Sequence, residues 1–374
     1  MDNMKQLIKQ FSALITLSLI LTGCVSLPEP IYLTDEEVSI AAKVGITEQQ
    51  YRVIKTSQLY QLSPRQTDQY LRILHEQEPD LRKRIGRIAE KNIGQPYELY
   101  LLGEAPFEPY DSQPLFELSK SDCVVFVEHT YAMGLTDNWG DFFKTLQHIR
   151  YNNGEVGVVT RNHFTEYDWN RNNNWLVEDI SSIAGENTIK TYEQTINKER
   201  FFAKQFGINV PQDNVKTVET YVPNEHIPAV AQYLQTGDFV NLVRSTGKGA
   251  WVGHVGIIKV EDNGKVNVIH SASPAVRKEG LLEMAKSFLA ETPERFAEGR
   301  TATVGFKVLR LHETANDNLK AKFDGNVPPI MMLNRKYEYL TKEQVKTKLA
   351  LMREQAKKDL IENALEQSKQ SDIK

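Results

Sequence analysis

Two cysteines in 374 residues are too few for a fold held together by disulfides. Neither sign of charge dominates. The 45 Lys and Arg against 49 Asp and Glu leave a net charge of −4, and no basic run offers a nucleic-acid surface. The apolar stretch from Phe11 to Leu21 is too short to span a bilayer comfortably. No Gly-rich phosphate loop follows a predicted strand, which argues against a nucleotide site. There is no His-Glu-x-x-His element, and the histidines are not at metal-ligand spacings on one helix. No internal repeat divides the chain. With 40% hydrophobic and 25% charged residues, what remains is an ordinary globular protein with one large core or two modest ones.

The N-terminus is more specific. Lys5 and Lys9 precede the apolar stretch, which ends in Leu21-Thr22-Gly23-Cys24. That order fits a bacterial lipoprotein signal peptide, in which the thiol of Cys24 receives a diacylglyceryl group before cleavage. Val25 is not the aspartate that favours inner-membrane retention, so an outer-membrane position facing the periplasm is expected. If Cys24 carries lipid, Cys123 has no disulfide partner within the chain. A free thiol in an oxidising compartment is either buried as a small hydrophobe or used.

The first third of the chain reads as helical. Thr34-Asp35-Glu36-Glu37 and Ser63-Pro64-Arg65-Gln66 are capping boxes, the second with Pro at the first helical position. A third helix is predicted over Asp80 to Asn92, stopping at Gly94. A fourth begins at Ser121-Asp122 and carries VVFVEHTYAMGL. Beyond Tyr151 the segments EVGVVT (Glu155 to Thr160), DFVNLV, HVGIIKV, KVNVIH and TVGFKVLRL predict strands, with an Asp262-Asn263-Gly264 hairpin turn. Helices first and clustered antiparallel strands later indicate an α+β fold. Trp169 to Gln235, with its asparagine-rich start, is expected to form loops around a site or to decorate the surface. A last helix, capped by Thr341 to Gln344, carries an apolar stripe at Val345, Leu349, Met352, Ala356, Leu360 and Ala364, which should pack on the domain or on a partner.

Cys123 falls in the first turn of the fourth helix. There, unpaired N–H groups and the helix dipole would stabilise a thiolate and lower its pKa, and the same N–H groups could hold an oxyanion. Asp122 could cap the helix or orient a neighbour. A thiolate nucleophile needs an imidazole within reach and a third group to orient it. His254 opens one strand and His270 closes the next across the hairpin turn, so the two rings can be neighbours. His75, His226 and His312 read as surface residues, His148 as helical, and His129 as facing away from Cys123.

The order of a helix-start Asp-Cys, a Gly-His-Val-Gly-Ile strand and a Val-Ile-His-Ser-Ala strand resembles the NlpC-type superfamily of papain-like cell-wall hydrolases. Gly94-Gln95-Pro96-Tyr97 matches that superfamily's Gly-x-Pro-Tyr element. The resemblance implies Cys123 as nucleophile, His254 as base, His270 as orienting residue and Tyr97 as an assisting hydroxyl. DCVVFVE, Arg161-Asn162-His163-Phe164 running to Asp168-Trp169, and Gly237-Asp238-Phe239 resemble a narrower branch. That branch was first catalogued as a domain of unknown function and is associated with N-acetylmuramoyl-L-alanine amidase activity. The likeness runs from about Asp80 to Leu311. It does not extend to the asparagine-rich stretch or the helix after Thr341, and the Ser-Gly that follows the nucleophile in the larger superfamily is missing.

The expected organisation is a signal peptide over 1–23, a lipidated tether over 24–32, a papain-like amidohydrolase domain over 33–318 and a charged helical extension over 319–374. The expected substrate is peptidoglycan or a muropeptide, with the membrane reached through lipid on Cys24 and no cofactor implied. A guanidinium at Arg161 would suit the free α-carboxylate of D-glutamate in the peptide stem. Asp168 and Trp169 complete the expected binding set, the indole stacking on a sugar or walling a cleft. Glu166 and Asp168 alone give little support for glycoside hydrolysis. The preferred bond is N-acetylmuramoyl–L-alanine. The alternatives are the γ-D-glutamyl–diaminopimelate bond, a zinc amidase with the same substrate, and a non-catalytic glycan-binding lipoprotein.

Overall fold

The computed structural model describes residues 31–322, 331–332 and 336–371; the expected signal peptide and Cys24 lie outside them. The chain divides into two units, Met1–Arg52 and Val53–Lys374. In the first, α1 (Asp35–Val44) opens on the expected capping box: Thr34 Oγ1 accepts the Glu37 N–H, and the Glu37 carboxylate accepts that of Thr34. Gly45 closes the helix at φ 77°, a left-handed conformation that costs glycine nothing. The unit ends within α2 (Glu48–Thr56).

The second unit is a mixed α+β fold. Its helical part comprises α3 (Pro64–Gln77), entered through the Ser63–Gln66 box, then α4 (Leu81–Lys91), α5 (Cys123–Leu135) and α6 (Trp139–Arg150). Asp80 caps α4 and Asp122 caps α5. From Val125 onward every residue of α5 is buried, so this is a core helix without a polar face.

An eight-stranded antiparallel sheet forms the centre, built from β1 (Val177–Asp179), β2 (Lys190–Ile196), β3 (Val215–Pro223), β4 (Phe239–Ser245), β5 (Ala250–Val260), β6 (Val266–Ala272), β7 (Ala275–Gly280) and β8 (Ala302–Leu311). The order is β2-β3-β8-β4-β5-β6-β7, with β1 also paired to β8. Helix α7 (Lys198–Phe206) joins β2 to β3 through a short strand, and α8 (Leu281–Ala297) joins β7 to β8. Leu281, Met284 and Ala285 of α8 pack on Val240, Leu242, Ile258 and Val268. Tyr131 of α5 stacks edge-on against Phe239, the residue before Val240.

Three expectations change. EVGVVT is extended only at Glu155–Val156, because the Val158 N–H is taken by the Glu108 carboxylate and Thr160 and Arg161 turn back onto the Gly157 carbonyl. The segment from Trp169 to Gln235 builds β1, β2 and β3 and enlarges the sheet, and its asparagines are structural: Asn173 donates to the Ile149 carbonyl and Asn172 to Asn162. The C-terminal helix, α9 (Lys342–Ser371), is only partly covered. Val345, Leu349 and Met352 are half-buried, and Lys348 pairs with Glu199 of α7, whereas Ala356 and Leu360 are exposed.

Candidate active site

The Gly94–Tyr97 segment and the start of α5 are held together by backbone pairing. Tyr97 bridges Ser121, and Pro96 bridges Ala275 at the start of β7. The ladder between β5 and β6 runs only from Ile257–Ile269 to Val260–Val266. Ahead of it, Ser271 Oγ donates to the Ser121 carbonyl, and the Val255 N–H points at the Cys123 sulfur. The first turn of α5 is thus lodged between the two strands where their ladder ends. His254 precedes Val255 and His270 precedes Ser271, so each histidine is rooted next to a residue that touches the start of α5. The hydroxyl of Tyr97 lies within electrostatic reach of the sulfur.

His254 Nε2 and His270 Nδ1 are 2.7 Å apart, and His270 Nε2 is 2.6 Å from Glu279 Oε2. Arg277 Nε donates to the same carboxylate oxygen at 2.8 Å. Burial raises the pKa of Glu279, but His270 and Arg277 outweigh it and leave the carboxyl below its usual value. An ionised carboxylate only accepts, so His270 donates from Nε2. Burial holds His270 below the ordinary imidazole value, and a neutral ring that donates from Nε2 must accept at Nδ1. His254 therefore donates from Nε2 and carries its lone pair on Nδ1. The tautomer of the outer imidazole is set two residues away, by Glu279.

The electrostatics of the thiol differ from the expectation for a helix start. Burial, with the Asp122 charge second, pushes Cys123 up to about 12, against the opposing N–H groups of Val255, Val124 and Cys123 itself. The cap adds to the effect of burial. Asp122 Oδ1 accepts the N–H of Val124 at 3.0 Å and of Val125 at 2.8 Å, consuming two of the helix-end donors and placing a carboxylate beside the sulfur. Burial, with His270, Arg244 and Arg277 adding repulsion, takes His254 down to about 3. Both groups rest neutral.

The expected binding residues are not all in the open. Trp169 is 2% exposed; its Nε1 donates to Glu128 at 3.1 Å and its ring packs 4.6 Å from Phe239. Asp168 pairs with Lys198 and accepts the Phe164 N–H. Arg161 lines a cleft, but its guanidinium donates to the Leu102 carbonyl and lies 2.9 Å from Asp111 and 3.2 Å from Glu104. Its charge is already answered within the protein. His75, expected on the surface, is half-buried and lowered to about 4 by desolvation first and Arg84 second.

One cleft is lined by the two histidines and another by the neighbours of Cys123. The first, of about 640 Å³, lies between the sheet and α8 and is lined by His254, His270, Arg244, Arg277 and Glu279. The other, of about 530 Å³, opens beside Asp122 and Val124 and is lined by Tyr100, Tyr110, Arg161 and Phe206.

Two contributors escape the sequence reading. Glu279 reaches His270 because a two-residue turn at Ser273-Pro274 folds β7 onto β6, placing Arg277 opposite His270 and Glu279 on the same face. The Ser-Pro pair was the available signal. Glu166 lies in a π-helical turn (Thr165–Trp169), where its carboxylate accepts the Val252 N–H and the Tyr192 hydroxyl. No local pattern announces that contact, which spans 86 residues.

The family of AmiA-like, N-acetylmuramoyl-L-alanine amidase-like domains matches residues 87–289, more than half the chain. The chain belongs to that family. Its amidase-like domain is therefore NlpC/P60-related, among cell-envelope hydrolases that act on peptidoglycan-type substrates. The Legionella pneumophila protein LPG0564 shares the fold, with a TM-score of 0.56 at 20% identity, over 66% of this chain and 95% of its own. An N-acetylmuramoyl-L-alanine amidase from Bacteroides uniformis aligns with 62% of this chain and 99% of its own, at 22% identity and a TM-score of 0.47. A search of curated proteins returns no match.

Proposed function

We propose that the domain is a thiol amidohydrolase that cuts the amide between N-acetylmuramic acid and L-alanine, with Cys123 as nucleophile and His254 as base. The observation that supports this most is the hydrogen-bonded series His254–His270–Glu279 beside a cysteine at a helix start. Because thiol and imidazole both rest neutral, proton transfer is coupled to attack and does not precede it. As the sulfur bonds to the lactyl carbonyl, its proton passes to Nδ1 of His254, and His270 with Glu279 stabilises the imidazolium. The Cys123 N–H and the Tyr97 hydroxyl donate to the oxyanion; burial, then the nearby Cys123 and Asp122, keep Tyr97 protonated. His254 gives its proton to the leaving alanine nitrogen. Water then loses a proton to the same ring, attacks the thioester and frees the thiol.

The aromatic cleft beside Asp122 suits the sugar, and the arginine-bearing cleft against α8 suits the peptide. Arg161, with its guanidinium 5.5 Å from the Phe206 ring centroid, serves as a rigid wall of the first. Trp169 holds Glu128, another residue of that cleft, through its indole N–H. Lipid on Cys24 would hold the domain at the outer membrane through residues 24–32. A Cys24→Ser variant should leave the membrane fraction with its specific activity on soluble muropeptide intact.

Mass spectrometry of products from N-acetylmuramoyl-L-alanyl-γ-D-glutamyl-diaminopimelate tests the bond. Release of intact tripeptide agrees with the proposal. Free diaminopimelate would replace it with the endopeptidase, and an unchanged substrate would favour a glycan-binding role.

A further inference from the structure

Resting on that reading of the site, we propose that Arg244 is the residue that recognises the peptide stem, by pairing with the free α-carboxylate of its D-glutamate. The cleft against α8 is lined by six charged side chains. Five have partners: Arg277 pairs with Glu279, Arg295 with Glu291, and Glu283 with Lys265 from outside the cleft. Arg244 is the one lining charge with no partner among the described residues, and it is exposed on the cleft wall.

Its position is built. The β4–β5 register passes from Leu242 opposite His254 to Val243 opposite Val252, leaving Gly253 as an inserted residue. The arginine stem lies across that glycine: a Cβ there would come within 2.4 Å of Arg244 Cδ and 2.9 Å of Cγ and Nε. Glycine at 253 thus lets the stem lie flat against the backbone immediately before His254. The guanidinium shares the cleft with His254 and acts electrostatically on both His254 and the Tyr97 hydroxyl.

An anion bound there would be close to the reacting amide. The α-carboxylate of D-glutamate is five bonds from the scissile nitrogen, about 7 Å at full extension. That is within reach of a side chain rooted beside the base. Arg161 is not available for this role, since Glu104 and Asp111 already neutralise it. Pairing with Arg244 would also remove an uncompensated positive charge beside His254 and make its protonation easier once substrate is bound.

The test is calorimetric binding to the full chain carrying Cys123→Ala. The probes are N-acetylmuramoyl-L-alanyl-D-glutamate and its α-amide, N-acetylmuramoyl-L-alanyl-D-isoglutamine. The acid should bind about tenfold tighter than the amide. Adding Arg244→Gln should erase the difference, and Arg244→Lys should keep part of it. Equal affinity for the two probes, no affinity for either, or a preference that survives Arg244→Gln would overturn the inference. Turnover of the acid by the chain with Cys123 intact is read separately. Its failure would count against the amidase reading while leaving the binding result to stand or fall alone.

Discussion

The Glu166 carboxylate accepts the backbone N–H of Val252 where β5 bulges against β4, two residues ahead of His254. The bulge inserts Gly253 directly after Val252, and a buried N–H without an acceptor is costly. Glu166 supplies the acceptor and so stabilises the register offset that brings His254 into the cleft. Glu166→Ala should therefore lower kcat by about tenfold or more while KM for muropeptide changes little. A KM effect with kcat unchanged would mean that Glu166 touches substrate.

Glu279 should matter through the imidazoles. Without it, His270 can adopt either tautomer, and the proton on Nε2 of His254 is no longer fixed. Steady-state kinetics should show a smaller loss of kcat for Glu279→Ala than for His254→Ala, whose cost is about 10²- to 10⁴-fold. His270→Asn should also be the milder change, since an amide oxygen can still accept from His254. Equal and small effects from His254→Ala and His270→Asn would show that the base has been misassigned.

Thiol reactivity in the free enzyme should follow the raised pKa of Cys123. A thiol that ionises near pH 12 is almost wholly protonated at neutral pH, so alkylation by iodoacetamide should be slow there. The rate should rise roughly tenfold per pH unit and continue past the ordinary cysteine range of about 8.5 without a plateau. A plateau below pH 7 would reveal a resting thiolate–imidazolium pair instead.

The elements that carry local signals were legible in the sequence. Thr34, Ser63 and Asp122 are side-chain caps, the 262–264 turn links β5 to β6, and His254 and His270 meet as hairpin pairing implies. What the sequence withheld depends on contacts between distant segments. A helix start looks like a place for a thiolate until burial is found to outweigh the N–H groups around it. An arginine or tryptophan in a family motif looks like a ligand until Glu104, Asp111 and Glu128 are found around it.

Trp169 should accordingly behave as a core residue. Trp169→Ala should cost about 3–5 kcal/mol of stability in denaturant titrations. Trp169→Phe should cost about 1–3 kcal/mol, because it strands the Glu128 oxygen that the indole satisfies. The folded fraction of the phenylalanine variant should retain its KM. A stable variant with a raised KM would return Trp169 to the substrate.

The proposed reaction passes through a thioester at Cys123 that carries the muramoyl group. Rapid acid quench of the enzyme with N-acetylmuramoyl-L-alanyl-γ-D-glutamyl-diaminopimelate, followed by intact-mass and peptide mass spectrometry, observes that species directly. The expected adduct has the mass of the N-acetylmuramoyl group alone and lies on the peptide containing Cys123. An adduct that also retains L-alanine and D-glutamate, or an adduct on any other residue, would contradict the proposed reaction.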